Sequence, residues 1–232
     1  MKRFYKQVSI APTEGGYQIH LDGRPVRTPS KAVLVVPGKA LAEAVAQEWD
    51  AQVETIEPAA MPLTRHANTV LDRVALHRDA VVEEIARYGE TDLICYRAEW
   101  PTELAERQCR TWDPLVDWAR RRYDVSLTTV SGIMHQPQGD ETLERLTRSV
   151  ESLSDWQLAP LHTLTTITGS LVIGLALLEG EVSPEQAWEA GQLDELFQAE
   201  KWGEDELAVK AHEARRVDLL SAARFLELLR AG

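Results

Sequence analysis

The spacing of apolar residues changes its period near residue 37. Before that point, apolar and polar residues alternate in YQIHL at 17–21, which predicts a half-buried β-strand. Asp22-Gly23 follows at once, and this dipeptide is typical of a type I′ hairpin turn. Pro25 indicates an edge strand with little pairing, whereas the apolar run AVLVV at 32–36 predicts a more buried strand. The N-terminal part therefore predicts a small antiparallel sheet.

Beyond residue 37 the apolar positions repeat with the period of a helix. Leu41, Val45 and Trp49 lie at i, i+4 and i+8, and this stripe predicts a helix that packs on the sheet. From about Pro62 the pattern is helical almost to the end, with a last helix predicted from near Glu204 to Leu229. The predicted fold class is α+β, with a small β-rich domain with one helix over residues 1–60 and a larger all-helical bundle over residues 61–232.

The chain has no segment that is typical of a membrane protein or a secretory signal. Its most apolar run, residues 170–180, is about half of the ~20 residues needed to span a bilayer, and it therefore predicts a core helix. The N-terminus has neither a long apolar stretch nor a small-residue cleavage site. We expect no membrane insertion.

Charge and cysteine content narrow the class of protein further. A net charge of −12 and a pI near 5.0 argue against a nucleic-acid partner, because binding to phosphates requires a basic surface. Cys95 and Cys109 form no disulfide framework and no metal-ligand spacing, which favours a reducing compartment. Cys109 falls within a helical pattern, and we expect it to be buried.

No familiar catalytic motif occurs in the sequence. GxxxxGK[ST], GxGxxG, HExxH and GxSxG are all missing, and none of the six histidines lies three or four residues from another. The sequence therefore predicts a protein that is not an enzyme and that binds neither a cofactor nor a metal.

The segment EKWGEDE at 200–206 is the strongest candidate for a functional site. Glu204, Asp205 and Glu206 fall in a predicted first helical turn, where the helix dipole favours carboxylates. Trp202 precedes a glycine that breaks the helix, and its indole either docks back on the bundle or faces a partner. An enzyme that uses these carboxylates with a divalent cation is an alternative, although three adjacent helical positions point in different directions.

Seven segments occur in an order that resembles a known protein family. They are RFYKQV, LDGRPVRTP, LAEAVAQEWDAQ, IEPAAMPLT, YGETDLICYRAE, WDPLVDW and EKWGEDE. In this order they resemble the F-type ATP synthase assembly chaperones, which hold the free alpha subunit of the catalytic head, and the resemblance extends over nearly the whole chain. The resemblance implies a small β-rich domain joined to a helical orthogonal bundle, in agreement with the pattern above.

The resemblance also implies a function and a contact surface. We expect an assembly chaperone that covers the apolar interface of the unassembled alpha subunit and releases it to the beta subunit without ATP hydrolysis. Trp202, Glu204, Asp205 and Glu206 are carried over as the partner-binding residues, whereas the helical spacing of Trp49 predicts a structural role. We expect a monomer when free, located in a bacterial cytoplasm or, for a processed organellar form, in the mitochondrial matrix. A structural adaptor of another complex remains an alternative.

Overall fold

A computed structural model describes residues 1–132, 134–203 and 206–231 of the chain. It has a small sheet near the N-terminus and a larger helical part, which confirms the predicted α+β class. No helix within the described ranges is long and apolar enough to cross a membrane.

The chain forms two compact units. Unit 1 contains residues 1–78, residues 155–160 and the C-terminal segment that starts at Ser221; unit 2 contains residues 79–154 and 161–220. The boundaries of these units differ from those of the predicted domains, because unit 1 also includes helical segments from beyond residue 60. The division into domains at residue 60 stays a prediction.

Unit 1 contains a four-stranded sheet. Its strands are β1 (Val8–Thr13), β2 (Gly16–Leu21), β3 (Arg24–Pro25) and β4 (Val35–Val36). β2 pairs antiparallel with each of the other three strands. Asp22 and Gly23 have φ angles of 48° and 77°, as a type I′ turn requires, so the predicted hairpin is confirmed. The strand predicted at 32–36 is shorter than expected and covers only β4 and a single bridge at Val33.

The helix that follows the sheet carries the predicted apolar stripe. This helix is α1 (Lys39–Asp50), and α2 (Pro62–Thr69) follows it, continued by a π-helical turn over Val70–Val74. Leu41 and Val45 are fully buried against the sheet, and Trp49 packs at the edge of the same core. The Tyr5 ring meets the Trp49 ring edge-on with centroids 5.9 Å apart, and the Tyr5 hydroxyl donates to the Trp49 carbonyl over 2.6 Å. Trp49 therefore has the structural contacts that its spacing predicts.

The rest of the chain is mainly helical. Two short strands, β5 (Tyr96–Arg97) and β6 (Val130–Ser131), pair in parallel within unit 2. The helices are α3 (Arg78–Ala86), α4 (Thr102–Tyr123), α5 (Asp140–Glu151), α6 (Asp155–Thr168), α7 (Leu171–Glu179), α8 (Pro184–Gly191), α9 (Leu193–Trp202) and α10 (Glu206–Arg230). The last helix was predicted to start near Glu204, which lies outside the described residues.

Helix α7 forms the centre of unit 2. Every residue from Leu171 to Leu178 is buried, so the predicted core helix at 170–180 is confirmed. A Cβ atom added at Gly174 would lie 2.8 Å from Thr165 Oγ1, which shows how closely α7 approaches α6. Helix α4 packs on α7 and buries Trp112, whose Nε1 donates to the Ala190 carbonyl over 2.8 Å.

The expected burial of Cys109 is wrong. Cys109 is exposed, and Cys95 is the buried cysteine. The buried stripe of α4 includes Gln108 and Trp112, so Cys109 lies one position off that stripe and faces away from the core. The helical pattern was correct, but its inward face was assigned to the wrong residue.

A buried carboxylate caps the start of α7. Asp92 is fully buried, and it accepts hydrogen bonds from the backbone N–H of Ile94 at 3.3 Å and of Val172 at 3.0 Å. Burial raises the pKa of Asp92 to about 6, although hydrogen bonds from the Ser170 side chain and from backbone N–H groups act in the opposite direction. The Ser170 side chain also accepts from Ile173 N over 3.0 Å. Two side chains therefore satisfy the first N–H groups of the central helix.

We expect Trp49→Arg to destabilise the protein by about 3–5 kcal/mol, because it removes an aromatic ring from the edge of the core and places a charge there. The change in the free energy of unfolding is measured by urea unfolding, with circular dichroism as the signal. Trp202→Arg is the matched control, since the Trp202 side chain is 77% exposed and its loss leaves the core intact. An unchanged unfolding midpoint for Trp49→Arg would show that its ring does not support the core.

We expect Asp92→Asn to remove the contribution that protonation of Asp92 makes to the pH dependence of the unfolding free energy. The pKa of Asp92 is raised in the folded protein, so the folded state binds more protons than the unfolded state between about pH 4 and pH 6. This component of stability is present at low pH and is lost as the pH rises through that window, by about 3 kcal/mol at most.

Unfolding free energies from pH 4 to pH 7 test this expectation. The wild type should lose stability relative to Asp92→Asn as the pH rises, while Asp140→Asn, at an exposed position, should follow the wild type. A stability difference between wild type and Asp92→Asn that is independent of pH would contradict the assigned pKa.

Candidate functional site

The predicted site lies where α9 ends and α10 begins. Trp202 is the last residue of α9, and Gly203 follows with a φ of 77°, which favours glycine. The Trp202 side chain is 77% exposed, so it does not dock back on the bundle. An exposed indole at a helix end is typical of a contact residue rather than of a core residue.

Helix α9 is held along α4 by a series of specific contacts. The buried Gln108 side chain on α4 donates to Asp194 Oδ1 over 2.7 Å, near the start of α9. The Gln108 Oε1 atom accepts a hydrogen bond from Ala98 N over 2.7 Å, so both the nitrogen and the oxygen of this amide form hydrogen bonds. One turn further along, Phe197 is buried and has Arg107 above its ring at 5.3 Å. These contacts fix the direction in which α9 runs.

Two ion pairs hold the end of α9 beside Trp202. Arg107 Nη1 lies 2.8 Å from Glu200 Oε1, and Lys201 Nζ lies 2.7 Å from Glu103 Oε2. The Arg107 hydrogen bond holds the pKa of Glu200 below its usual value. All four side chains are partly exposed, and such pairs contribute little stability individually. Their effect is to position the helix end from which Trp202 projects.

The first three turns of α10 are largely exposed. Nearly every side chain from Glu206 to Val217 is exposed, including the large apolar side chains of Leu207 and Val209. His212 is the half-buried exception, and its ring lies 4.6 Å from the ring of Trp188. Glu206 forms an ion pair with Lys210 over 2.6 Å on the exposed face. This part of α10 therefore presents both apolar and charged groups to solvent.

The structure brings together only some of the predicted site residues. Trp202 and Glu206 lie on either side of the helix break, both exposed. Glu204 and Asp205 lie outside the described residues, so their positions stay a prediction. The role of all four residues in binding a partner also stays a prediction.

Sequence reasoning missed the residues that extend and support this surface. Leu207 and Val209 were not singled out, although they follow the acidic segment directly and do not continue the buried stripe that begins near Leu219. Glu103 and Arg107 were also missed, since their contacts with α9 join positions about 95 residues apart in the chain. The only local signal was their spacing of four residues on α4.

The described residues contain no group of three or more His, Cys, Asp or Glu side chains arranged to hold a metal ion. The proposal of a carboxylate enzyme depends on Glu204 and Asp205, which are not described. Glu206 itself points to Lys210 and is otherwise surrounded by solvent. No described geometry at this surface indicates a catalytic role.

The fold is closely similar to that of a solved bacterial structure. The crystal structure of Atp12 from Paracoccus denitrificans superimposes with a TM-score of 0.95 and is 42% identical, covering 99% of this chain and 98% of that one. At this level of identity the similarity extends to sequence as well as to fold.

Two fungal proteins are similar over most of their length. Protein atp12, mitochondrial, of Schizosaccharomyces pombe is 28% identical over 94% of this chain and 78% of its own. Protein ATP12, mitochondrial, of Saccharomyces cerevisiae is 23% identical over 88% of this chain and 77% of its own. The family described as ATP12 chaperone protein matches residues 2–120, about half of the chain. The chain belongs to the ATP12 chaperone family, as its order of motifs predicted.

Proposed function

We propose that this protein is an assembly chaperone of the ATP synthase. It binds the unassembled alpha subunit, covers the apolar surface that this subunit normally buries in the complex, and releases it to the beta subunit. Membership of the ATP12 chaperone family supports this function. The observation that carries the choice of surface is the exposure of Trp202 at the end of α9, a helix that contacts α4 through the buried Phe197 and Gln108.

The surface that we assign to the partner is the 202–217 surface, which comprises Trp202 and the exposed part of α10 from Glu206 to Val217. Four of the exposed large apolar side chains of the described chain fall within it, namely Trp202, Leu207, Val209 and Val217. A segment with several exposed large apolar side chains is a candidate contact region for a partner protein. Aromatic anchors of this kind contribute a large part of the energy of many interfaces.

The charged residues of the same surface have a different role. The sequence places Glu204 and Asp205 next to Glu206, so the segment is acidic beside its aromatic anchor. Charges at the rim of an interface steer association and set its register more than they add affinity. An acidic segment next to an aromatic anchor therefore suits selective but reversible binding.

Release follows from mass action in this account. The beta subunit competes for the same apolar surface of the alpha subunit, and assembly removes the client from the equilibrium. The chaperone then needs no nucleotide hydrolysis and no cofactor. We propose a monomer that acts without enzymatic activity, in the bacterial cytoplasm or, for an organellar form, in the mitochondrial matrix. Its two fungal relatives are named as mitochondrial proteins.

We expect Trp202→Ala to weaken binding of the isolated alpha subunit by about thirtyfold or more, since the loss of an interface anchor costs roughly 2 kcal/mol or more. The stability of the chaperone should change by less than about 0.5 kcal/mol, because the ring is exposed. Biolayer interferometry and urea unfolding on the same preparations give both values.

Trp100→Ala is the matched control for this experiment. Trp100 is 81% exposed, so the same side chain is lost from another surface position of unit 2. Wild-type affinity for Trp202→Ala, or an equal loss of affinity for both variants, would remove Trp202 from the set of specific contacts.

We expect Glu204→Lys/Glu206→Lys to bind the alpha subunit more weakly and with a smaller dependence on salt. The fold should survive, because the exposed Glu206–Lys210 pair contributes only about 0.3–0.5 kcal/mol. Association rates measured over a range of NaCl concentrations test the expectation.

The matched control is Glu185→Lys/Glu189→Lys, which makes the same change in net charge at exposed positions of α8. If the two double variants lose the same amount of affinity, net charge rather than the acidic segment is responsible. Such a result would contradict the assignment of the acidic segment to the interface.

A further inference from the structure

Unit 1 contains two grooves that share one residue, Trp49. The first groove, which we call groove A, has a volume of about 490 Å³, and the second, groove B, has a volume of about 540 Å³. Each is of the size that holds a few side chains of a ligand. Trp49 lines both grooves, so the residue that supports the core of unit 1 also reaches its surface.

The walls of both grooves are mainly apolar. Groove A is lined by Trp49, Ile56, Pro58 and Met61, among others. Groove B is lined by Trp49, Phe4, Tyr5 and Leu21, among others, and the Phe4 side chain is 66% exposed. Such walls favour an apolar side chain of the occupant.

The charged residues that line the grooves are arginines and aspartates, and they differ in whether they already have partners within the protein. Each groove is lined by two arginines and one aspartate; the arginines are Arg65 and Arg73 in groove A and Arg24 and Arg27 in groove B. The aspartates already have structural partners. Asp72 accepts from the Thr28 hydroxyl at 2.6 Å and from Ser30 N at 3.0 Å, and Asp22 accepts from Lys6 N and Gln7 N.

Two of the arginines are available to a ligand. Arg24 and Arg73 are exposed, and neither forms an ion pair within the residues that the structure describes. A guanidinium group presents several N–H donors in a fixed plane, and it binds a carboxylate through two of them. The grooves therefore combine an apolar floor with a cationic rim.

The charge of the whole chain makes this rim distinctive. Unit 1 contains 12 Lys and Arg against 10 Asp and Glu, whereas unit 2 contains 13 against 27, which together account for the 25 and 37 of the chain. Unit 2 therefore has a net charge of −14 and unit 1 a net charge of +2, which together give the −12 of the chain. The exposed arginines of the nearly neutral unit 1 therefore favour a partner segment that carries a carboxylate.

The wall of groove A also contains hydrogen-bonding atoms that are not satisfied. Trp49 Nε1, a donor, and Asn68 Oδ1, an acceptor, are both buried, and each lacks a hydrogen-bond partner within the described ranges. A peptide group supplies one acceptor and one donor, which are the two partners required. Both atoms are shielded from solvent in this structure.

We propose that grooves A and B bind an extended segment of the client polypeptide in which an apolar side chain lies beside an acidic one. The apolar side chain enters a groove, and the carboxylate pairs with Arg24 or Arg73. This inference rests on the proposed function, since it makes unit 1 a second contact surface for the alpha subunit, separate from the 202–217 surface of unit 2.

Short overlapping peptides that cover the sequence of the alpha subunit, labelled with fluorescein, test the proposal by fluorescence anisotropy. We expect peptides with Asp or Glu beside an apolar residue to bind the full-length chaperone, and to bind less tightly as NaCl increases. Their dissociation constants should rise by about tenfold in Arg24→Glu/Arg73→Glu. Arg24→Gln/Arg73→Gln removes the charges without reversing them and should give a smaller loss in the same direction.

The matched control is Arg110→Glu/Arg121→Glu, which makes the same change in net charge on the exposed face of α4 in unit 2. It should bind the peptides as the wild type does. Equal losses in the groove variant and in this control would overturn the proposal, as would a peptide set in which no acidic member binds.

A second copy of the chain is the alternative occupant. Sedimentation velocity of the chaperone alone distinguishes it, because a dimer that disappears in Arg24→Glu/Arg73→Glu would assign the grooves to self-association and overturn the proposal.

Binding of the whole alpha subunit to the wild-type chaperone distinguishes failure of the groove proposal from failure of the proposed function. If the subunit binds and the peptides do not, the groove proposal fails and the proposed function stands; if the subunit itself does not bind, the proposed function fails and the client assignment fails with it.

Discussion

The complete burial of helix α7 is the constraint on which unit 2 depends. A helix that is apolar on all sides must be covered on all sides, and here α4, α6 and α8 pack against it or close to it. Its N-terminal N–H groups then need partners inside the protein, which Asp92 and Ser170 supply. The same packing brings α8 and α9 against α4, so the position of Trp202 follows from the burial of α7.

The two units differ in the chemistry of the surfaces that they offer. Unit 2 is strongly acidic and has the exposed indole of Trp202 at the end of α9. Unit 1 has a balanced charge and two grooves that are lined in part by arginine. A chaperone that holds one client through two separate surfaces gains affinity from their linkage without requiring strong binding at either surface. Under the proposed function, two such surfaces would allow the client to be bound firmly and released one surface at a time.

The sequence predicted those features that depend on neighbours in the chain. The Asp22-Gly23 hairpin, the stripe of α1, the buried α7 and the α+β class were all predicted from local pattern, and each is confirmed. The burial of Cys109 was predicted wrongly, because a helical period does not say which face is covered until its partner helix is known. Exposure of Trp202 likewise could not be read from the sequence, since the ion pairs that hold α9 to α4 join distant positions.

The most direct test of the account is photo-cross-linking in living cells, with p-benzoylphenylalanine in place of Trp202. The indole is exposed at a helix end, so the replacement leaves the fold unchanged and places the reactive carbonyl on the proposed contact surface. We predict one main cross-linked product that contains the ATP synthase alpha subunit. A product that contains a different protein, or no product with the alpha subunit while the chaperone is folded and the subunit is present, would contradict the account.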